Sequence, residues 1–559
     1  MKLIECVPNF SEGRDQGVID AITAEISDTE GAMLLDVDPG AATNRTVVTF
    51  VGPPEAVEEA AFRAIAKAAE LIDMSKHSGE HPRMGATDVC PFVPVEGATM
   101  EDCVALAERL GARVGEELGI PVYLYARAAR RPERERLPDI RKGEYEALEE
   151  KLADPDFAPD FGPAKFVPRS GATAIGAREF LIAWNVNVNT RSRKLANKIA
   201  LELRETGKFK RDEEGKILRD DDGVALRVPG RFTGLQGGGW YIDEYGRAQV
   251  SFNIMDHRTT PMHAVFDACR EEAAKLGMRV TGSELVGLVP LSAILAAGDH
   301  YLELQGATDG IPESERVHAA VLSMGLDELS PFDPAEKIVE YKYRGAPTGL
   351  KAMTLIDFAR ELSSDSPAPG GGSVAALCGS LSAALSAMVA ALTWSRKGLE
   401  AERPKMRDVG RRAQTLKDWF MEAVDADTEA FSAVIAARRL PRKTEEERAA
   451  RDEAIELANQ EATRVPLTVL ERTLEALDLA LVAAERGNPN SVSDAAVAGA
   501  CALAAAEGAA LNVRINLPSI ATEDVRAEIA TRQQGLLDDA RQRAARVREA
   551  AETVLAAES

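Results

Sequence analysis

Cysteine is scarce, and its placement excludes more than its number does. Cys6, Cys90, Cys103, Cys269, Cys378 and Cys501 show neither CxxC nor metal-ligand spacing. No disulfide framework and no zinc site is therefore expected, and the six read as reduced thiols of a cytoplasmic protein. Positive charge is in deficit: 67 Lys+Arg against 90 Asp+Glu leave a net charge of -23. That excludes sequence-independent nucleic-acid binding, which needs a basic footprint, and any anionic ligand must be gathered by local cations against the overall field. The start, MKLIECVPNF, has no apolar core of signal-peptide length. One long uncharged run exists, residues 374–394, but Ala, Ser and Gly dominate it, and its bulky residues fall mostly at helical spacing. It predicts a helix packed in a bundle rather than a membrane span. Histidine is equally sparse, and His257, His263, His300 and His318 lack paired spacing and read as structural.

What is present is length and a change of texture. A chain of 559 residues is too long for one core and predicts several domains. Short strands alternate with amphipathic helices through the first half, predicting two α/β units of α+β sandwich type, 1–178 and 179–329. Residues 330–351, rich in Pro, Gly and charge, read as a linker. Beyond them, 352–559 predicts an all-α helical bundle. Within the first half, 127–160 reads as an exposed charged excursion and 205–230 as a mobile insertion.

Chemistry concentrates in His77-Ser78-Gly79-Glu80-His81-Pro82-Arg83-Met84-Gly85-Ala86-Thr87-Asp88. Pro82 disfavours helix at the residue before it, which puts His81 on an extended loop. Arg83 and Asp88 are close enough to orient or tune its imidazole. Two readings stand: a general acid/base, or a surface histidine. A turn crowded with polar groups, near Asp38, Asn44 and Arg45, faces solvent or ligand. Gly162-Pro163-Ala164-Lys165-Phe166-Val167-Pro168-Arg169-Ser170-Gly171 makes a rigid loop with exposed donors, either a site for a planar anion or a domain linker. Period-two alternation in 181–189 places Asn185, Asn187 and Asn189 on one strand face, which is poor core material and predicts a polar contact with substrate.

In the helical half, Gly370-Gly371-Gly372-Ser373 feeds a helix amino terminus. It is either a carboxylate site or a close-packing cap. A seam of Val409, Ala413, Leu416, Phe420, Ala423, Asp427, Phe431 and Val434 predicts that Asp427 is buried, hence raised in pKa, and paired or retained for chemistry. Asp425 is expected to point elsewhere and be solvated. A second helix stripe carries Asp494, Asn512 and Asn516.

The segment DMSKHSGEHPRMGATDVCPFVPV resembles the glutamate formiminotransferase signature, and the resemblance runs from Met1 to about Pro331. SPAPGGGSVAALCGSLSAALSAMV and VDADTEAF resemble formimidoyltetrahydrofolate cyclodeaminase. As a whole the chain resembles the bifunctional formimidoyltransferase-cyclodeaminase family. The resemblance implies that His81 is the transferase acid/base, that Gly162 to Gly171 bind folate, and that Asp427 is the cyclodeaminase aspartate. It implies two consecutive reactions: transfer of the formimino group of formiminoglutamate to tetrahydrofolate, then ring closure with loss of ammonia. It further implies tetrahydrofolate, as a polyglutamate, in the role of co-substrate with no tightly bound cofactor, and a homo-oligomer without membrane or nucleic-acid partners. A methenyltetrahydrofolate cyclohydrolase in the carboxy-terminal half, or a folate-binding scaffold with one inactive domain, are the alternatives.

Overall fold

A computed structural model describes residues 2–41, 43–79, 82–243, 245–366 and 368–558. Two compact units result, Met1–Ala297 with Val321–Gly345, and Gly298–Ala320 with Ala346–Ser559. This division differs from the expected boundary at 329 because residues 298–320 belong with the helices. The reason is local: Asp309 is 3 % exposed and ion-paired with Arg411 and, at 2.9 Å, with Arg407. Trp394 also donates to the Gly306 carbonyl at 2.7 Å.

The first unit carries two sheets. Strands β1 (Leu3–Cys6), β2 (Asn9–Phe10), β3 (Met33–Gly40), β4 (Arg45–Gly52), β5 (Thr87–Glu96), β6 (Val122–Ala126) and β7 (Thr173–Ala177) form the larger. Its β1–β5 half is antiparallel, whereas β5, β7 and β6 run parallel in that order. Helices α1 (Gln16–Ser27), α2 (Pro54–Leu71) and α3 (Met100–Glu117) bury Ile22, Val57, Ile65, Leu106 and Val114 against Ile4, Phe50 and Phe92 of one face. Pro54 opens α2 where its missing N–H costs nothing, and a Thr99/Asp102 capping box opens α3.

The opposite face is covered by the charged stretch 127–160, a correction to its reading as an exposed excursion. Ile140, Leu148 and Leu152 are buried there against Met84, Val89, Tyr123 and Tyr125. Its charges are satisfied in place, Arg134 and Asp160 pairing at 2.7 Å with both side chains only 6 % exposed.

The second sheet, β8 (Ile182–Val188), β11 (Leu235–Ile242), β12 (Arg247–Ile254) and β13 (Val280–Val286), has the order β11-β12-β8-β13. Helices α4 (Arg193–Leu203) and α5 (Met262–Lys275) belong with this half of the unit. Between α4 and β11, residues 205–230 carry regular turns and a short two-stranded stem. A tandem repeat, RDEEGKIL then RDDDGVAL, forms two matching turns. Asp212 accepts from the Glu214 and Lys216 N–H groups, and Asp220 from those of Asp222 and Val224. Backbone bonds link Lys210, Leu218 and Leu226 in a ring, with β9 (Lys208–Phe209) and β10 (Arg227–Val228) as the stem.

The second unit is a bundle of α6 (Gly371–Trp394), α7 (Arg403–Arg438), α8 (Glu445–Arg486), α9 (Val492–Asn516) and α10 (Glu523–Glu558). The uncharged run forms α6. It buries small residues, Ala375, Ala376, Gly379, Ala383, Ala387 and Ala390, while Leu381, Met388 and Leu392 point outward. Close approach through small residues is what fits this helix into the bundle, and α6 and α9 are both long and apolar enough to cross a membrane by length and composition.

Candidate functional sites

In the first unit, the motif loops meet at the amino ends of the parallel strands. Glu80 and His81 lie outside the described residues. Arg83, 7 % exposed, donates to Glu146 at 2.7 and 2.8 Å and to Glu144 at 3.1 Å. Its Nε also donates to His77 Nδ1 at 3.3 Å. With Nδ1 accepting, His77 Nε2 is the donor to the Asn44 carbonyl at 2.9 Å. Arg83 is thus engaged by the protein's own carboxylates, a geometry in which it holds the loop. Asp88, wholly buried, accepts the Met84 N–H at 2.9 Å and pairs with Arg141, so it too organises the loop.

The 162–171 loop lies directly on this segment. Ser170 O accepts from Ala86 N at 2.8 Å, and Met84 O accepts from Ala172 N at 3.2 Å. Gly171 bridges Gly85 at φ +66°, where a Cβ would collide with the Met84 carbonyl. Tyr145 donates to Pro168 O at 2.6 Å and packs on Phe166. Lys165 and Arg169 are exposed, but Arg169 is already engaged with the Glu70 carbonyl.

Asn44 knits the neighbouring turn to the same loop, accepting from Gly13 N at 3.0 Å and donating to Ser78 O at 3.1 Å. Arg45 donates to Asn9 Oδ1. Burial lowers its pKa to about 10, partly countered by Asp88. Asp38 is exposed on β3, opposite Val47 and two pairs along from Arg45. Asn187 does not meet an open surface as the strand pattern predicted, and Asn185 is half-buried. Asn187 is fully buried, donating to Glu328 at 2.7 Å and accepting from Gln249 at 2.9 Å; Asn185 donates to Glu284 at 3.3 Å. The polar face is satisfied internally.

In the second unit, Asp427 lies on α7 against the amino terminus of α6. Ser373 presents its backbone N–H to the carboxylate, and its Oγ lies 3.4 Å from Asp427 Oδ2 and donates to Val424 O at 3.0 Å. The glycine turn therefore does cradle a carboxylate, and that carboxylate is the protein's own. Desolvation raises the Asp427 pKa and outweighs the opposing Ser373 bonds. Asn512 of α9 reaches the same turn beside Gly371, with Nδ2 tied to Gly508 O at 2.8 Å. Gly370 is the N-cap of α6.

Four expectations fail here. Asp427 itself is half-buried rather than buried as the seam predicted. Phe431 is 45 % exposed, because after Ala423 the buried register of α7 passes to Ala430, Val434 and Ala437. Asp425 is half-buried and accepts the Leu350 N–H at 2.7 Å. Asp494 sits in the first turn of α9, about 27 Å of helix rise from Asn512, so the fold does not bring it to Asp427 within one chain. Sequence reasoning missed Arg141, Glu144 and Glu146. Their partners are far away in sequence, and no local spacing signals them.

Family models match in three segments: "Formiminotransferase domain, N-terminal subdomain" over 3–178, "Formiminotransferase domain" over 183–344 and "Formiminotransferase-cyclodeaminase" over 354–535. The chain is 45% identical over 548 residues, 98% of both chains, to a formimidoyltransferase-cyclodeaminase of Mus musculus. It is 43% identical over 312 residues, 56% of this chain and 95% of the other, to a glutamate formimidoyltransferase of Thermoplasma acidophilum. A methenyltetrahydrofolate cyclohydrolase of Methylorubrum extorquens matches 34% of this chain and 90% of its own at 38% identity. A solved formiminotetrahydrofolate cyclodeaminase of Thermotoga maritima is 26% identical, with TM-score 0.34, over 37% of this chain and all of its own. With two sheet-bearing segments, a helical region and near-complete coverage by bifunctional relatives, this chain belongs to the formimidoyltransferase-cyclodeaminase family.

Proposed function

We propose that this chain carries out both reactions: transfer of the formimino group from N-formimino-L-glutamate to tetrahydrofolate, then cyclodeamination of 5-formiminotetrahydrofolate to 5,10-methenyltetrahydrofolate and ammonia. What supports this reading is the gathering of motif residues in each unit. A doubly clamped loop flanks His81 in one, and a desolvated carboxyl sits on a glycine turn in the other.

In the first step N5 of tetrahydrofolate attacks the formimino carbon and the glutamate nitrogen leaves. His81 takes the N5 proton and returns it to the departing nitrogen. Arg45 and the exposed face of the 162–171 loop hold the anionic ends of the substrates. In the second, N10 attacks the same carbon, its proton passes to the imino nitrogen, and Asp427 adds the further proton with which that nitrogen departs as ammonia. A carboxyl with a raised pKa is suited to donate that proton and, once ionised, to face the cationic methenyl product. Tetrahydrofolate polyglutamate is a co-substrate here rather than a resident group. A second copy of the chain covers the outward apolar stripe of α6 and α9, Leu381, Met388, Leu392, Val497, Leu511 and Ile515, all exposed in the single chain.

The cyclohydrolase reading of the helical half is favoured by the Methylorubrum match. The full-length protein given 5-formiminotetrahydrofolate should release ammonia in step with methenyl formation. Ammonia-free hydrolysis of the methenyl compound as the sole activity would instead establish the cyclohydrolase.

A further inference from the structure

The motif loops occupy the amino ends of β5, β7 and β6; a separate cavity of about 750 Å³ opens at their carboxyl ends. The chain leaving each strand builds its wall: Met100 and Glu101 in the first turn of α3, Ala126 at the end of β6 with Arg127 after it, and Arg178 after β7, with Arg136, Glu135 and Met255 closing it. The crevice outside the carboxyl ends of parallel strands is the usual place for a ligand in such sheets, and the volume lies within the range of small-molecule sites.

Two further observations mark it as built. Ala126 has φ +54°, a conformation an alanine adopts at a cost of about 1 kcal/mol or more, and this strained residue forms the wall. The charges are also of both signs, with cations in position to bind. Arg127 and Glu135 are exposed, and no ion pair among the described residues engages either. Arg136 has only Asp139, at 4.0 Å. Glu179, by contrast, is taken up by Arg258 at 3.3 Å.

We propose that this cavity binds a free acidic α-amino acid, with Arg127, Arg136 and Arg178 holding its two carboxylates and Glu101 and Glu135 its ammonium group. Of small metabolites, that class presents two anions and one cation together, which matches the three guanidiniums and the two carboxylates left once Glu108 is paired with Arg130 at 3.5 Å and Glu179 with Arg258. Arg178 connects the cavity to the transferase site. It follows β7 directly, and the 162–171 loop leads into the amino end of the same strand. A ligand held at Arg178 therefore bears on the strand that carries the loop, and it acts as an effector of transfer.

The test is calorimetric titration of the full-length protein with L-glutamate, alongside glutarate, which lacks the amine. Arg127→Ala combined with Arg136→Ala should remove one binding event and leave the transferase rate without added glutamate unchanged. Glu135→Gln should weaken L-glutamate about tenfold, the loss of one charge-assisted bond, and leave glutarate unaffected. In kinetics, the wild type should show a noncompetitive component of inhibition by L-glutamate that the double variant lacks. An isotherm and inhibition pattern identical in wild type and double variant overturn the proposal. Loss of transferase activity in every form, with the pocket-dependent binding event intact, would fault the transferase reading instead.

Discussion

Gly372 is placed so that the three atoms nearest to a side chain built on it are the Cγ, Oδ1 and Oδ2 of Asp427. The glycine exists to let a carboxylate lie on the first turn of α6. Gly372→Ala would force the carboxylate off the Ser373 N–H and abolish its defined position. Ring closure should fall by about two orders of magnitude, as for a displaced acid/base, while transfer in the first unit is spared. Ammonia release and 5-formiminotetrahydrofolate accumulation, measured on the same sample, decide it. A variant that closes the ring at the normal rate removes Asp427 from the chemistry.

Asp427→Asn separates structure from proton transfer at nearly constant volume. Burial raises the Asp427 pKa, so the acid form persists to higher pH than for a solvated aspartate. If that form supplies the proton, the wild-type ring-closure rate should decline as pH rises through the raised pKa. Asp427→Asn should lower the rate about 10²- to 10⁴-fold and flatten this limb. A variant keeping both the rate and the limb assigns the titration to another group.

How far the sequence could be read depended on the range of the interaction. The helix from Pro54, α3 from Thr99, the strands on either side of the His81 loop and the seam of α7 up to Ala423 all follow from local period and caps. The covering of the sheet by 127–160 was hidden, since its charges, Arg134, Arg141, Glu144 and Glu146, find partners 26 to 63 residues away. Polar composition there looked like solvation and was compensation. Asn187 misled in the same way. A polar strand face reads as open until Glu328, 141 residues distant, is known to cover it.

Glu5 makes the first unit sensitive to alkali. It lies on β1 with 2 % exposure, and burial raises its pKa from 4.5 to about 8, against the pull of Arg178. The folded state thus keeps a proton that the unfolded chain releases above about pH 4.5, and stability is lost as pH rises from there through 8. The slope is up to about 1.4 kcal/mol per pH unit. Glu5→Gln removes the titration, so its urea midpoint should gain on the wild type between pH 5 and pH 9 and match it near pH 4. Parallel midpoints at all pH values would mean that Glu5 is ionised or solvated in the folded protein.

The clamp on Arg83 gives the last prediction, because it distinguishes a loop-holding role from a substrate-binding one. Glu146 makes a bidentate pair with Arg83, whose own side chain is only 9% exposed. Glu146→Gln weakens that pair and leaves Glu144 and His77 in place; Arg83→Lys keeps the charge but loses the fork. If Arg83 bound a substrate carboxylate, Glu146→Gln would free it and lower the Michaelis constant for formiminoglutamate or folate. Holding the loop predicts the reverse. Both variants should lower the transferase kcat by tenfold or so, leave ammonia release from supplied 5-formiminotetrahydrofolate untouched, and raise proteolytic cleavage near residues 77–86. His81→Ala sets the limit of the series, since it should abolish transfer without loosening the loop. A Glu146→Gln protein with a lowered Michaelis constant and an undiminished kcat would return Arg83 to the substrate.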